Sequence, residues 1–271
     1  MSFIKTPLQK AETAIVQADA VLIGAGAGLS TAAGINYSGP DFEKAFADMI
    51  ARYGFTDLYT SSFYPFQSEE EKWAYWSRHI DYARFAPEGK PLYRHLLEMV
   101  QGKEYFVITT NVDGQFAKSG FDPDKVFEVQ GDYGLMQCAT ACHPKRYSNE
   151  SLVKQMVAEQ QDCRIPSSLV PRCPVCGGPM EINVRKDRYF VEDDRWHQQA
   201  ERYYAFLEET LGKKKLALLE YGVGFNTPTI IRYPFERMAA SYPDVTLIRI
   251  NKDYRGSQTP GIRQFIGLET I

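Results

Sequence analysis

Five short apolar runs rich in β-branched residues limit what this chain can become: Ala20 to Ile23, Tyr105 to Thr109, Lys125 to Val129, Leu216 to Glu220 and Val245 to Ile250. Such runs read as strands buried on both faces, the habit of parallel sheets. Helical patterns lie between several of them. Pro7 stands where a first helical turn opens, with Leu8, Ala11, Ile15 and Val16 near helix spacing. Arg195 to Leu211 reads as another helix, closed by Gly212 as a C-terminal cap. Strands alternating with helices predict an α/β fold with a doubly wound parallel sheet. Two stretches break the rhythm. Asp41 to about Val100 is aromatic-rich and helical in pattern, while Cys138 to about Glu181 is irregular and holds every cysteine. With no repeat and no low-complexity linker, both read as insertions into the sheet domain.

Composition excludes several classes. At 271 residues the chain is long enough for a full core. Lys+Arg number 31 against 34 Asp+Glu, a net charge of -3, which gives no drive toward nucleic acid or an anionic membrane. No run approaches the roughly 20 apolar residues of a membrane span, and the opening residues turn polar too early for a signal peptide. Five cysteines suit thiols or metal ligands better than a secreted disulfide scaffold. The expected location is the cytoplasm.

The first run leads into Gly24-Ala25-Gly26-Ala27-Gly28-Leu29-Ser30-Thr31-Ala32-Ala33-Gly34. Glycines after a strand admit a ligand to the backbone, and a following helix N-terminus offers N–H groups to phosphate. The alternative is a small-residue turn that packs a helix tightly on the sheet. The dehydrogenase pattern G-x-G-x-x-G is not met, because Leu29 or Thr31 takes the third glycine position. Hydride transfer is therefore disfavoured.

The second run ends in Thr109-Thr110-Asn111-Val112-Asp113-Gly114. Polar groups at the C-terminal ends of strands lie where open α/β sheets bind ligands, although Asn and Asp also cap helices and form turns. The same edge receives Gln130-Gly131-Asp132, Gly222-Val223-Gly224-Phe225-Asn226 and Asn251-Lys252-Asp253. Five runs ending this way support a cleft.

Cys173-Pro174-Val175-Cys176-Gly177-Gly178 has the form of a zinc knuckle, and Cys138 with Cys142 supplies a second pair. Four thiolates complete a tetrahedral structural site for one Zn2+ with no open position for chemistry. A redox C-x-x-C is the competing reading of Cys173 and Cys176. Cys163 is left over as a plain thiol, and His143 is a bystander.

Together these segments resemble the sirtuin family. Gly26-Ala27-Gly28-Leu29-Ser30-Thr31-Ala32-Ala33-Gly34-Ile35 is similar to the family's G-A-G-x-S-x-x-x-G-I signature, and Thr110-Asn111-Val112-Asp113-Gly114 to its Q-N-I-D-G segment with Thr110 replacing Gln. The cysteine pairs follow in the family's order. The resemblance implies a Rossmann-like domain over residues 1–40, 101–135 and 185–271, a helical cap over 41–100 and a zinc module over 136–184, with NAD bound in the cleft. On that mapping Gly26, Ala27, Gly28 and Ser30 cradle the phosphates, Asn111 and Asp113 line the nicotinamide and ribose end, and Thr110 and Gln130 join the cofactor set. Gly222, Asn226 and Asn251 lie toward the adenosine half, with Gly224 and Lys252 also in the cofactor set. The family's P-D-F-R segment corresponds to Pro40-Asp41-Phe42-Glu43, which adds Asp41 and Phe42 to the cofactor set, with Glu43 reversing the family arginine's charge.

The family's deacetylating members carry His-Gly where this chain has Gln130-Gly131. An amide donates and accepts hydrogen bonds but takes no proton near neutral pH. General-base catalysis contributes roughly 10²–10⁴-fold, so efficient deacetylation is not expected. Breaking the nicotinamide–ribose bond asks instead for positioning and electrostatic support, which Asn111, Asp113 and Gln130 offer without titrating. The resulting expectation is an NAD-dependent protein ADP-ribosyltransferase. The Gln resembles the microbial macrodomain-linked sirtuins, which implies a lipoylated glycine-cleavage H-like carrier as acceptor, a partner macrodomain hydrolase, and an oxidative-stress setting. A weak NAD-dependent deacylase and a non-catalytic NAD- or ADP-ribose-binding module are the alternatives.

Phe63, Tyr64, Phe66, Trp73, Tyr75, Trp76, Tyr82 and Phe85 cluster in the cap. They read as core first, with recognition of an acceptor protein as the alternative. Lys213 to Lys215 reads as a solvated helix end.

Overall fold

The structure is a computed structural model that describes residues 5–225, 227–253, 256 and 259–269. Its strands are β1 (Ala20–Ala25), β2 (Glu104–Thr109), β3 (Val126–Glu128), β4 (Gly131–Cys138), β5 (Arg146–Ser148), β6 (Met180–Val184), β7 (Leu216–Tyr221), β8 (Val245–Ile250) and β9 (Phe265–Leu268). Six form a wholly parallel sheet in the order β3-β2-β1-β7-β8-β9. The chain winds outward from β1 through β2 to β3, then returns to the other side of β1 as β7. The crevice beyond the ends of β1 and β7 is thus a topological switch point, where doubly wound sheets bind ligands.

Two apolar layers sandwich this sheet because alternate strand residues face opposite sides. Val21 and Ile23 meet Ala11 and Ile15 of the helix Pro7–Gln17. That helix opens on a capping box, Thr6 Oγ1 accepting from Gln9 N at 3.2 Å and Gln9 Oε1 accepting from Thr6 N at 3.0 Å. Ala20 and Leu22 face the other layer, which holds Tyr203 and Phe206 of the helix Asp194–Thr210 and Phe235 of the helix Arg232–Ser241.

The cysteine-bearing stretch is more regular than its sequence suggests. It holds a three-stranded antiparallel sheet, β5-β4-β6, and the helix Glu150–Glu159. The aromatic stretch is helical, its longest helix Glu69–Ile80 running into a π-turn at Asp81–Phe85. These two insertions share one core: Phe42, Phe46, Met49 and Trp73 pack in the same cluster as Cys138, Val153, Cys173 and Ile182. Among the described residues, no helix is long and apolar enough to cross a membrane.

Candidate active site

Backbone geometry at the switch point comes first. β1 delivers Gly26, and a short helix starts at Ala27. Gly222, following β7, sits at φ +65 and packs directly on this turn. A Cβ on Gly28 would lie 2.7 Å from Gly222 Cα, so both positions require glycine. Gly26 N–H donates to Tyr221 O at 3.0 Å and Gly28 N–H to Gly222 O at 2.9 Å, so these two amides are already committed within the protein.

Above this turn opens a cavity of about 540 Å³, lined by Gly26, Ala27, Gly28, Thr110, Gly222, Gly224, Asn251 and Lys252 among others. A second cavity, of about 630 Å³, holds Asn111, Gln130 and Tyr133 together with Tyr59, Phe63 and Trp76 of the cap. Ala27, Thr110 and Thr227 line both, so the two form one cleft running from the sheet edge to the cap. Asn226 lies outside the described residues.

Ser30 and Asp113 sit behind the cleft wall. Both are buried, and neither lines either cavity. Ser30 Oγ donates to Asp113 Oδ2 at 2.5 Å and lies 2.9 Å from Tyr93 OH. Asn111 Nδ2 donates to Gly26 O at 3.1 Å and to Tyr93 OH at 3.3 Å. Burial raises the Asp113 carboxyl above its ordinary pKa, while the bonds from Ser30 and Gln115 N and the charge of Arg84 hold it down. Gln130 Oε1 is buried without a hydrogen-bond partner among the described residues.

Asp41 and Phe42 do not reach the cleft. Helix Pro40–Ala45 turns Phe42 into the cap core, where its ring stacks on Phe46 at 5.3 Å, and leaves Asp41 exposed. Their place in the cofactor set rests on the resemblance alone, and here the apolar ring gains its burial in the cap.

Several cleft residues escaped the sequence reading. Arg185 and Lys186 follow β6 into the cavity. Arg185 N–H donates to Gln130 O at 2.9 Å, and its guanidinium lies over Phe190 at 4.2 Å. A basic pair directly after a strand was the available signal. Arg249 and Glu220, charges inside two apolar runs, also escaped the sequence reading but lie outside the cleft. They are register partners on β8 and β7, fully buried, and joined by bonds of 2.7 and 2.9 Å, with Glu236 completing the cluster at 2.8 Å.

The four cysteines converge at the far end of β4 and β6. The Sγ atoms of Cys138, Cys142, Cys173 and Cys176 all lie within 4.8 Å of one another. The Cys138–Cys176 and Cys142–Cys173 pairs are 3.7 and 3.6 Å apart. Tetrahedral Zn–S bonds of about 2.3 Å put sulfurs roughly 3.8 Å apart, so the donor set fits one structural Zn2+. Cys163 is remote from the tetrad, its thiol 3.5 Å from Asp48 Oδ2.

Comparison with known proteins bears on this arrangement. A protein ADP-ribosyltransferase of Staphylococcus aureus is 42% identical over 241 residues, 89% of this chain and 76% of that protein. A probable bifunctional ADP-ribose hydrolase/ADP-ribosyltransferase of Fusarium oxysporum f. sp. cubense is 34% identical over 86% of this chain, which spans 40% of the fungal protein. A solved Sir2 homolog–NAD complex superposes with a TM-score of 0.56 at 16% identity, covering 97% of this chain and 88% of that one, a likeness of fold. Residues 26–214 match the Sir2 family model, and the chain belongs to the Sir2, or sirtuin, family.

Proposed function

We propose that this protein is an NAD-dependent protein ADP-ribosyltransferase. It breaks the bond between nicotinamide and ribose, releases nicotinamide, and joins the ribose carbon to a nucleophilic side chain of an acceptor protein. The observation that carries the reading is Gln130. Its amide lines the cleft beside Asn111 with Oε1 unpartnered, in the place where deacetylating relatives need a titrating base. A carboxylate acceptor arrives ionised and needs no base, so an amide that supports developing charge suffices. The names of the staphylococcal and fungal relatives support the same reading.

In this proposal Gly26, Ala27, Gly28 and Ser30 form the phosphate end, Thr110, Asn111, Asp113 and Gln130 the reacting end, and Gly222, Gly224, Asn251 and Lys252 the adenosine end. Ser30 and Asp113 act from behind the wall. The cap over residues 41–100 and the zinc module over 136–184 flank the NAD-binding domain. The acceptor is a lipoylated glycine-cleavage H-like carrier, and a macrodomain hydrolase removes the mark. The fungal relative, whose name joins hydrolase and transferase, supports that pairing. The setting is cytoplasmic and linked to oxidative stress.

The test incubates purified protein with NAD labelled on its adenylate half, with and without the lipoylated carrier. Label on the carrier, lost with Asn111→Ala, supports the transferase. Label on a released acyl group instead makes the protein a deacylase, and no nicotinamide release leaves a binding module.

A further inference from the structure

We infer that Tyr93 is a positioning residue that fixes which end of the Asn111 amide faces the ligand. The inference rests on the transferase reading for its kinetic consequence, and on geometry alone for the orientation itself.

Gly26 O accepts and cannot donate, so the Asn111 atom 3.1 Å from it must be the NH2 nitrogen. The second proton of that nitrogen goes to Tyr93 OH at 3.3 Å. Both donors of the amide are thereby held against the protein. Asn111 Oδ1 makes no hydrogen bond to any described residue and is not among the fully buried unpartnered atoms. It is the polar atom Asn111 presents to the cleft it lines.

Hydrogen-bond direction then propagates. Ser30 Oγ has one proton and gives it to Asp113 Oδ2, so at the 2.9 Å contact the Tyr93 hydroxyl is the donor. Ser30 in turn donates to Asp113 Oδ2 at 2.5 Å, while Asp113 Oδ1 accepts from Gln115 N at 3.1 Å. The chain ends on the Asp113 carboxyl, which accepts from both Ser30 Oγ and Gln115 N. Were Asp113 to donate instead, Ser30 would donate to Tyr93 and the phenol proton would have no acceptor. Polarity therefore runs one way, from Asn111 through Tyr93 and Ser30 to Asp113, and each bond strengthens the next.

The consequence concerns ligand chemistry. Asn111 offers an acceptor, so the ligand group that meets it must be a donor. On NAD, the ribose hydroxyls and the carboxamide NH2 qualify, and the carboxamide oxygen does not. Tyr93 itself is buried and lines neither cavity, so it acts through Asn111 and not on the ligand.

The test uses Tyr93→Phe, which removes one oxygen and keeps the ring that packs edge-on against Phe116 at 5.0 Å. With NAD and the lipoylated carrier, kcat for nicotinamide release should fall about tenfold, as expected for loss of one orienting hydrogen bond, while KM for NAD holds within about twofold. An unchanged kcat overturns the inference. A second measurement needs no activity. In nitrogen-15 spectra of the ligand-free protein, the Asn111 side-chain NH2 pair, assigned by its loss in Asn111→Ala, should exchange slowly and shift in Tyr93→Phe. A pair that Tyr93→Phe leaves unmoved overturns the geometry. If the wild type releases no nicotinamide, the transferase reading fails, and this spectrum decides the orientation.

Discussion

Arg84 and Asp132 form a doubly bonded ion pair, Nε to Oδ1 at 2.7 Å and Nη2 to Oδ2 at 3.1 Å. Arg84 belongs to the π-turn that ends the long cap helix, and Asp132 stands two residues after Gln130. The guanidinium also presses on Gly114, where a Cβ would lie 2.3 Å from Arg84 Cζ. One cap side chain therefore clamps both loops of the reacting end. π-turns recur at functional sites, and here the extra residue in the turn accompanies the clamp.

Asp132→Asn keeps the shape and leaves the Arg84 charge unpaired in a site where the two side chains are 17% and 12% exposed. Removing one partner of a largely buried pair costs about 3 kcal/mol or more. Urea unfolding should show that loss with an unchanged m-value. A stability within 1 kcal/mol of wild type would mean the pair is effectively solvated.

Gly28→Ala should disrupt the turn, because its Cβ would meet Gly222 Cα at 2.7 Å, and backbone cannot swing aside. Gly224→Ala is the control, since its Cβ meets nothing within 4 Å although the residue lines the same cavity. Calorimetric titration with NAD should show at least tenfold weaker binding for Gly28→Ala, about 1.4 kcal/mol, and a change under about threefold for Gly224→Ala. Equal losses would show that the close approach of the two turns is not what shapes the site.

His79 gives the fold an acid sensitivity. It is fully buried, its Nδ1 lies 3.1 Å from Tyr75 OH, and its Nε2 has no partner among the described residues. Burial lowers its pKa from 6.5 to about 3. The unfolded chain binds the proton first, so stability falls as pH drops below about 6.5 and goes on falling until pH about 3. His79→Phe should melt below the wild type at pH 7 and close the gap by pH 5. A constant gap across that range assigns the acid loss to other groups.

Zinc should be present at one per chain by elemental analysis, held by Cys138, Cys142, Cys173 and Cys176. Cys173→Ser, at a buried ligand position, should abolish it and lower the melting temperature. Cys163→Ser should leave the metal content untouched. Zinc retained in Cys173→Ser would point to a different ligand set, with His143 Nδ1, 3.9 Å from Cys173 Sγ, the first candidate.

The main sheet was legible because β1, β2, β7 and β8 are nearly continuous apolar runs, a local pattern that needs no partner to be read. β9 was not, since its four residues are all half-buried at the sheet edge and carry no such signature. The β4, β5 and β6 sheet escaped for a similar reason: β5 has three residues, and β4 shifts register against β6 between Gly131 and Met136. Motif glycines and the cysteine pairs stood out because backbone approach and metal binding tolerate few substitutes. Tyr93 carries no motif at all. Its role depends on meeting Ser30 and Asn111 in space, from a helix separated from both in sequence, and only coordinates reveal that meeting.

The core common to the aromatic cap and the cysteine module also sets how the molecule opens. Elements that share buried side chains lose protection together. Amide hydrogen exchange should therefore report Phe42 to Trp73 and Val153 to Ile182 as one cooperative unit, distinct from the parallel sheet. Since β6 runs from the thiolate cluster to the cleft residues Arg185 and Lys186, stripping the metal should speed amide exchange at the mouth of the cleft as well as at the thiolates.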